Sequence, residues 1–210
     1  MKKVIFSLLA ASLMLLGTQA FAQMSVNAGY LNSTESIKGN SNSINSNGAF
    51  AGVSFNIPIA GGFGIAPGVY YSIITNKNSS SASILGINIS GASTFMEQAI
   101  NAPVYLNYGV DLSRDMKFFV FGGPTAQYGL ASTTKGELGI GSSSTDKTVN
   151  NYENDANYNR LNVYLGGGVG FNAGGFQITV GYDYGMMDLY KDENREAHRS
   201  NLKLGVGFAF

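Results

Sequence analysis

The final ten residues, Asn201-Leu-Lys-Leu-Gly-Val-Gly-Phe-Ala-Phe210, alternate strictly: Leu202, Leu204, Val206, Phe208 and Phe210 against Asn201, Lys203, Gly205, Gly207 and Ala209. Successive side chains of an extended strand point to opposite faces, so this segment has one wholly apolar face and one of small or polar groups. Its length matches the roughly 9–11 residues with which a tilted strand crosses a bilayer. The pattern recurs upstream. Phe176, Ile178, Val180, Tyr182 and Tyr184 alternate with Gln177, Thr179, Gly181 and Asp183. Leu161, Val163, Leu165, Gly167, Val169 and Phe171 alternate with Asn162, Tyr164, Gly166, Gly168 and Gly170. Further segments of this kind cover 117–131, 94–109, 63–75, 48–58 and 24–34, the last with Val26, Ala28 and Tyr30 on its apolar face. The reading is eight strands, and no stretch sustains the 3.6-residue period of a helix.

The connections sort into two kinds. Residues 59–62, 110–116 and 172–175 are short links, whereas 35–47, 76–93, 132–158 and 187–198 are long and rich in Asn, Ser, Gly and charge. Alternation of tight turns with long loops is what an up-and-down transmembrane barrel requires, and an even strand count leaves both chain ends on the turn side. The fold expected is therefore all-β: an eight-stranded antiparallel up-and-down transmembrane β-barrel. A soluble ligand-binding barrel is the main rival. It would turn its apolar face inward and charge its outside, whereas the non-apolar face here is mostly Gly, Ala, Asn, Ser and Thr. Such side chains suit the cramped interior of eight strands.

Residues 1–22 read as an export signal: Lys2 and Lys3, an apolar run from Val4 to Leu16, and Ala20-Phe21-Ala22 as a small-x-small cleavage site. The run is too short for a spanning helix, which needs about 20 residues. The barrel is then residues 23–210, and its expected location is the cell outer membrane. Composition narrows the chemistry. The sequence has no Cys, which removes thiolate metal sites, Cys nucleophiles and disulfides. Its 13 basic and 13 acidic residues cancel, leaving no electrostatic footprint for nucleic acid.

Several segments together resemble a family. Ala99-Ile-Asn-Ala-Pro-Val-Tyr-Leu-Asn-Tyr108, Phe118-Phe-Val-Phe-Gly-Gly-Pro-Thr-Ala-Gln-Tyr-Gly-Leu130, Gly181-Tyr-Asp-Tyr-Gly185 and Gly205-Val-Gly-Phe-Ala-Phe210 are similar to the small outer-membrane β-barrel domain proteins, often labelled porin family, that abound in Bacteroidetes. The resemblance implies that the C-terminal aromatics Phe208 and Phe210 form the signal read by the outer-membrane assembly machinery. It also implies no cofactor.

The alternation places Glu97, Lys117, Asp183, Arg199 and Lys203 in the lumen, where charges need partners. Setting Phe176 opposite Phe210 puts Asp183 opposite Lys203. Tyr70, Tyr105, Tyr164, Phe119 and Phe121 would fill space around them. With no Trp, the interfacial girdles fall to Tyr30, Tyr71, Tyr128 and Tyr184 on the loop side, and Phe63, Tyr108, Phe118, Phe171, Phe176 and Phe210 on the turn side. Pro67, Pro103 and Pro124 lie inside strands of a wall that has no edge, so each demands a bulge or a break in the ladder. Gly166–Gly170 lacks the Gly-Lys-Ser/Thr and helix of a phosphate loop and reads as luminal glycines relieving crowding. The acidic group Asp188, Asp192, Glu193 and Glu196 reads as a solvated loop, its spacing unlike an EF-hand.

The function expected is structural and interactive: an envelope or adhesion protein whose long loops meet lipopolysaccharide, a surface protein or another cell, with outer-membrane lipid around the wall. The alternatives are a narrow passive conduit for small solutes and a lipid A-modifying enzyme. His198-x-Ser200 resembles the outer-membrane lipid A deacylases, but no acidic residue follows Ser200. The expectation is that the protein is not an enzyme and has no catalytic or metal site.

Overall fold

The computed structural model describes residues 23–39, 43–84, 87–140, 143–153, 158–191 and 196–210. The expected export signal and part of the acidic loop, Asp192 and Glu193, lie outside them. Nine strands follow in chain order: β1 (Gln23–Ile37), β2 (Ser43–Ala60), β3 (Phe63–Ile84), β4 (Ile87–Asp111), β5 (Met116–Ile140), β6 (Ser143–Asn150), β7 (Leu161–Ala173), β8 (Phe176–Gly185) and β9 (Ala197–Ala209). Eight close a ring in the order β1, β2, β3, β4, β5, β7, β8, β9, with β9 pairing back to β1 and every pair antiparallel. The eight-stranded barrel is therefore as expected. The ninth strand, β6, pairs only with the upper part of β5 and lies outside the ring.

The burial pattern is inverted relative to a soluble protein. Exposed positions include Val26, Val104, Leu106, Val169, Ile178, Leu204 and Val206, while the buried set is dominated by Ser25, Asn27, Ser72, Glu97, Thr125, Gln127, Asp183, Arg199 and Asn201. An apolar belt that no other described residue covers, wrapped around a polar interior, needs hydrocarbon as its solvent. The proposed loop-side tyrosines Tyr30, Tyr71, Tyr128 and Tyr184 all face outward, as do Phe63, Tyr108, Phe118, Phe176 and Phe210. Phe171 is half-buried. On β8 the girdle residues Phe176 and Tyr184 are separated by about 26 Å of strand, which at the tilt of such barrels, about 40°, spans about 20 Å of the hydrophobic band.

The turn end is tight. Gly61 and Gly62 join β2 to β3 with φ of 60° and 86°, and Gly174 and Gly175 join β7 to β8 with φ of 55° and 90°. Two central residues at positive φ make the turn whose twist matches flanking strands, and glycine adopts it without strain. The first and last strands of the ring meet on this side, with Ser25 paired to Ala209.

The loop end departs from the sequence reading. Segments 76–93 and 132–158 were expected to be loops, but β3, β4 and β5 run on as strands of 22, 25 and 25 residues. The β3–β4 ladder continues to Ile84 opposite Ile87, and the β4–β5 ladder to Ile89 opposite Ile140. Likewise β1 extends to Ile37, β2 begins at Ser43 and β9 begins at Ala197, shortening the other two expected loops. The wall accommodates the change with a bulge: Gln98 pairs with Ala131 but Ala99 with Gly129, so Leu130 is extra. Beyond it the inward parity of β5 flips, and Ser132 is buried where Gly129 was.

Candidate functional site

The lumen is organised around two ion pairs. Arg199, at the loop end of β9, donates from Nη1 to Glu97 Oε1 of β4 at 2.6 Å, a contact that crosses the barrel. Its Nη2 lies 3.7 Å from Glu35 Oε2, its ladder partner on β1, and also donates to the Tyr158 hydroxyl. Arg199 and Glu97 are each 3% exposed. Lower down, Lys203 Nζ meets Asp183 Oδ2 at 2.5 Å and donates to the Tyr105 hydroxyl at 3.1 Å. Four of the five expected luminal charges thus join in two pairs.

Two details correct the sequence reading. Phe176 pairs with Phe208, not Phe210, so Asp183 stands opposite Asn201 and Lys203 opposite Gly181. The contact survives because a lysine is long enough to reach the diagonal neighbour of its own partner. Lys117 joins neither pair. It lies at the turn end, 4.0 Å from the exposed Asp111, with its chain over Gly109. Glu35 was missed because it was assigned to a loop. The signal was present: Asn27, Gly29, Leu31, Ser33 and Glu35 continue one inward parity.

Around these pairs the filling side chains fall where expected. Tyr164 is 1% exposed and donates to Gln127 Oε1, which is linked through Gln127 Nε2 to Asn101 and from there to Ser72. Phe119 and Phe121 sit opposite Gly170 and Gly168, and a Cβ on Gly170 would come within 2.1 Å of the Phe119 ring. The glycine run therefore gives room to aromatic rings.

A lid closes the loop end. Tyr158 packs with Leu189 and Ala197, joined by Ile37, Tyr152 and Tyr190. Tyr158 pairs with Tyr190 through an isolated bridge, and Tyr190 donates to Glu35 Oε1 at 2.9 Å. Burial holds the Tyr158 hydroxyl well above its ordinary pKa, so it stays a neutral partner for Arg199. Outside the lid, Lys38 clasps Glu196 at 2.6 Å. That hydrogen bond and the mutual charge raise the lysine and lower the carboxylate.

His198 lies beside Glu196, with its Nε2 3.5 Å from Glu196 Oε1, although Glu196 precedes it in sequence. Its Nδ1 is 3.1 Å from the Gly185 carbonyl and its ring stacks on Tyr184. Both ring nitrogens are thus engaged away from Ser200. No cluster of three or more potential metal ligands occurs among the described residues.

Above the bilayer, β3, β4, β5 and β6 form one four-stranded sheet. Among the described residues, its β3 edge loses its β2 partner beyond Thr75, and β6 has a partner on one side only. Lys135 bridges Glu137 at 2.9 Å and Asp146 at 3.4 Å across the β5–β6 hairpin, and these carboxylates raise its pKa.

Comparison decides the family. The outer membrane protein beta-barrel domain matches residues 18–191. This chain belongs to that family. It is an outer-membrane, cell-surface β-barrel protein, with short turns on the periplasmic side and the β3–β6 sheet outside the cell. Among solved structures it is similar to Ail, the attachment invasion locus protein of Yersinia pestis, at 16% identity and TM-score 0.44, covering 90% of this chain and 99% of that one. It is similar to Neisserial surface protein A at 15% identity and TM-score 0.46, covering 89% and 97%. The outer membrane enzyme PagL matches at 10% identity and TM-score 0.38, covering 89% and 99%. No curated protein matches the sequence. These likenesses leave the role of the barrel to its own residues.

Proposed function

We propose that this barrel is a surface-interaction protein: the membrane wall is its anchor and the extracellular β3–β6 sheet is its contact surface. The observation that carries the reading is the ladder itself, which continues beyond the bilayer to Ile84, Ile87, Ile89 and Ile140, across a single bulge at Leu130. A rigid wall that projects strands into solvent holds a partner-binding surface at fixed distance and orientation, at little ordering cost. Unpaired main-chain groups along β6 offer an extended segment of a partner a strand to pair with. Asp146 and Lys147 on that strand discourage self-pairing between copies, as charges on edge strands do. Lipopolysaccharide would surround the rim at the level of Tyr30, Tyr71, Tyr128 and Tyr184, where amphipathic rings suit the interface.

The lumen supports the same reading. Arg199, Glu97, Tyr158 and Tyr164 occupy the level at which a conduit would need open space, and the His198 ring nitrogens face the Gly185 carbonyl and Glu196. The test replaces residues 136–147 by a short Gly-Ser turn, which spares Tyr152 and Tyr158. Vesicles carrying the shortened protein should lose binding to cells or envelope partners that the full chain binds, while the barrel keeps its heat-dependent shift in gel mobility. Undiminished binding would refute the sheet as the contact surface.

A further inference from the structure

Besides the one-residue bulges at Ile59 and Leu130, pairing lapses over two residues at three places in the wall, each holding a proline. Between β2 and β3, Ser54 pairs with Gly68 and Ile57 with Ile65, but the intervening positions that include Pro67 do not pair. Between β3 and β4 the gap falls between Pro67–Val104 and Tyr70–Asn101, and holds Pro103. Between β4 and β5 it falls between Pro103–Thr125 and Leu106–Gly122, and holds Pro124. The gaps are contiguous. On β3, residues 66 and 67 are unpaired toward β2 and residues 68 and 69 toward β4; on β4, residues 102 and 103 are unpaired toward β3 and residues 104 and 105 toward β5. They form one diagonal seam across three neighbouring strand pairs.

The seam is thin as well as poorly bonded. Its luminal side carries Ala66, Gly68 and Gly123, and a Cβ on Gly123 would come within 2.3 Å of the Val104 carbonyl. Its outer side is apolar, with Val69 and Val104 about half exposed to lipid. Hydrocarbon offers no hydrogen bonds, so irregular backbone at membrane depth is tolerated where it borders protein or a hydrated cavity. A cavity with many polar lining side chains lies behind this wall. It has a volume of about 160 Å³, reaches Ala66, Pro103 and Tyr105 of the seam, takes in the Asp183–Lys203 pair, and carries the rings of Phe50, Tyr70 and Phe119 on its wall. The hydrogen-bonded Arg199 and Tyr158 lie above it, toward the loop end.

We infer that the lower lumen is a binding site for a small, flat, uncharged aromatic molecule that enters from the bilayer through the proline seam. Passage from lipid selects an apolar, uncharged guest. The aromatic walls favour a ring, and Asn101, Gln127 and the Tyr105 hydroxyl offer hydrogen bonds to a single polar atom. This site is independent of the extracellular sheet.

The chain has neither Trp nor Cys, which makes the test clean. Indole added to the protein in lipid vesicles is the only indole fluorophore, and its emission should shift on saturable binding. Ala66→Leu, which fills the cavity behind the seam, should remove that binding. Val69→Cys with Ala102→Cys places the only two thiols at facing outward positions across the gap. Oxidation of that pair should slow indole entry roughly tenfold or more, with the rate restored by reduction. The triple change Pro67→Val, Pro103→Thr and Pro124→Val, which returns the missing N–H groups without a crosslink, should slow entry likewise. Absence of saturable binding to the unaltered chain would overturn the site. Entry rates unchanged in both the oxidised pair and the triple variant would overturn the route and point to entry from the periplasmic end.

Discussion

Asp183 and Lys203 meet at 2.5 Å although neither is the other's ladder partner. The lysine reaches diagonally along the strand and also donates across the lumen to Tyr105, so one ammonium ties β8, β9 and β4 together. Removing one member of a buried pair strands the other in a low-dielectric interior. Lys203→Ala should therefore destabilise the barrel by about 3–5 kcal/mol, read from urea unfolding in micelles. Asp183→Ala with Lys203→Ala should recover part of that loss, because no uncompensated charge is left. A double change as damaging as the sum of the singles would mean that the two do not act as a pair.

The upper pair closes the barrel and makes a separate prediction. Arg199 holds Glu97 of β4, Glu35 of β1 and Tyr158 of the lid with one guanidinium. Arg199→Ala leaves two buried carboxylates facing each other and releases the lid. The temperature of the gel-mobility shift should fall further than for Lys203→Ala. Planar-bilayer recordings should show steady current in Arg199→Ala but none in the unaltered chain or in Lys203→Ala, where the upper pair still stands. Steady current through the unaltered chain would sink the sealed-lumen reading.

The parts legible in the sequence were those that lipid dictates. Within the bilayer every second residue must be apolar, so the Leu202–Phe210 and Phe176–Tyr184 alternations identified their strands and faces. Above the bilayer that demand ends. Ser79, Ser80, Ser81, Ser90 and Ser93 carry no alternation, and the Leu130 bulge flips the parity of β5 at the place where the apolar signal stops, so β6 and the strand extensions read as loop. Register was off by two residues because the match of Phe176 to Phe210 is local, whereas ladder offsets are set by closure of the whole ring. The lid residues Ile37, Tyr158 and Leu189 lie far apart in sequence, and no local pattern brings them together.

The clasp between Lys38 and Glu196 gives the loop end a pH dependence. Glu196 is lowered from 4.5, so its contribution is fully present above that value and is lost as pH falls through the lower folded value. Lys38 is raised from 10.5, so its share is present below that value and lost as pH rises through the higher folded one. The clasp is complete between these limits. Both side chains are largely exposed, so the effect is small and screened by salt. Protease cleavage near Lys38 should increase in acid for the unaltered chain and be independent of acid in Lys38→Ala. Equal pH profiles for the two proteins would remove the clasp as the cause.

The C-terminal aromatics separate assembly from stability. Phe210 is 69% exposed and contacts Phe208, which in turn packs edge-on against Phe176 with centroids 5.3 Å apart. Its backbone N–H donates to Met24 at the ring closure, a bond that any residue supplies. Truncating an outward ring that already faces lipid removes little burial, so Phe210→Ala should unfold in urea within about 1 kcal/mol of the unaltered protein. If Phe210 is the signal read during insertion, the same change should sharply lower the amount of folded barrel in the outer membrane of living cells. Phe208→Ala should lower both, because its ring also braces Phe176. Normal cellular levels of the Phe210→Ala protein would leave that residue as an ordinary lipid-facing side chain.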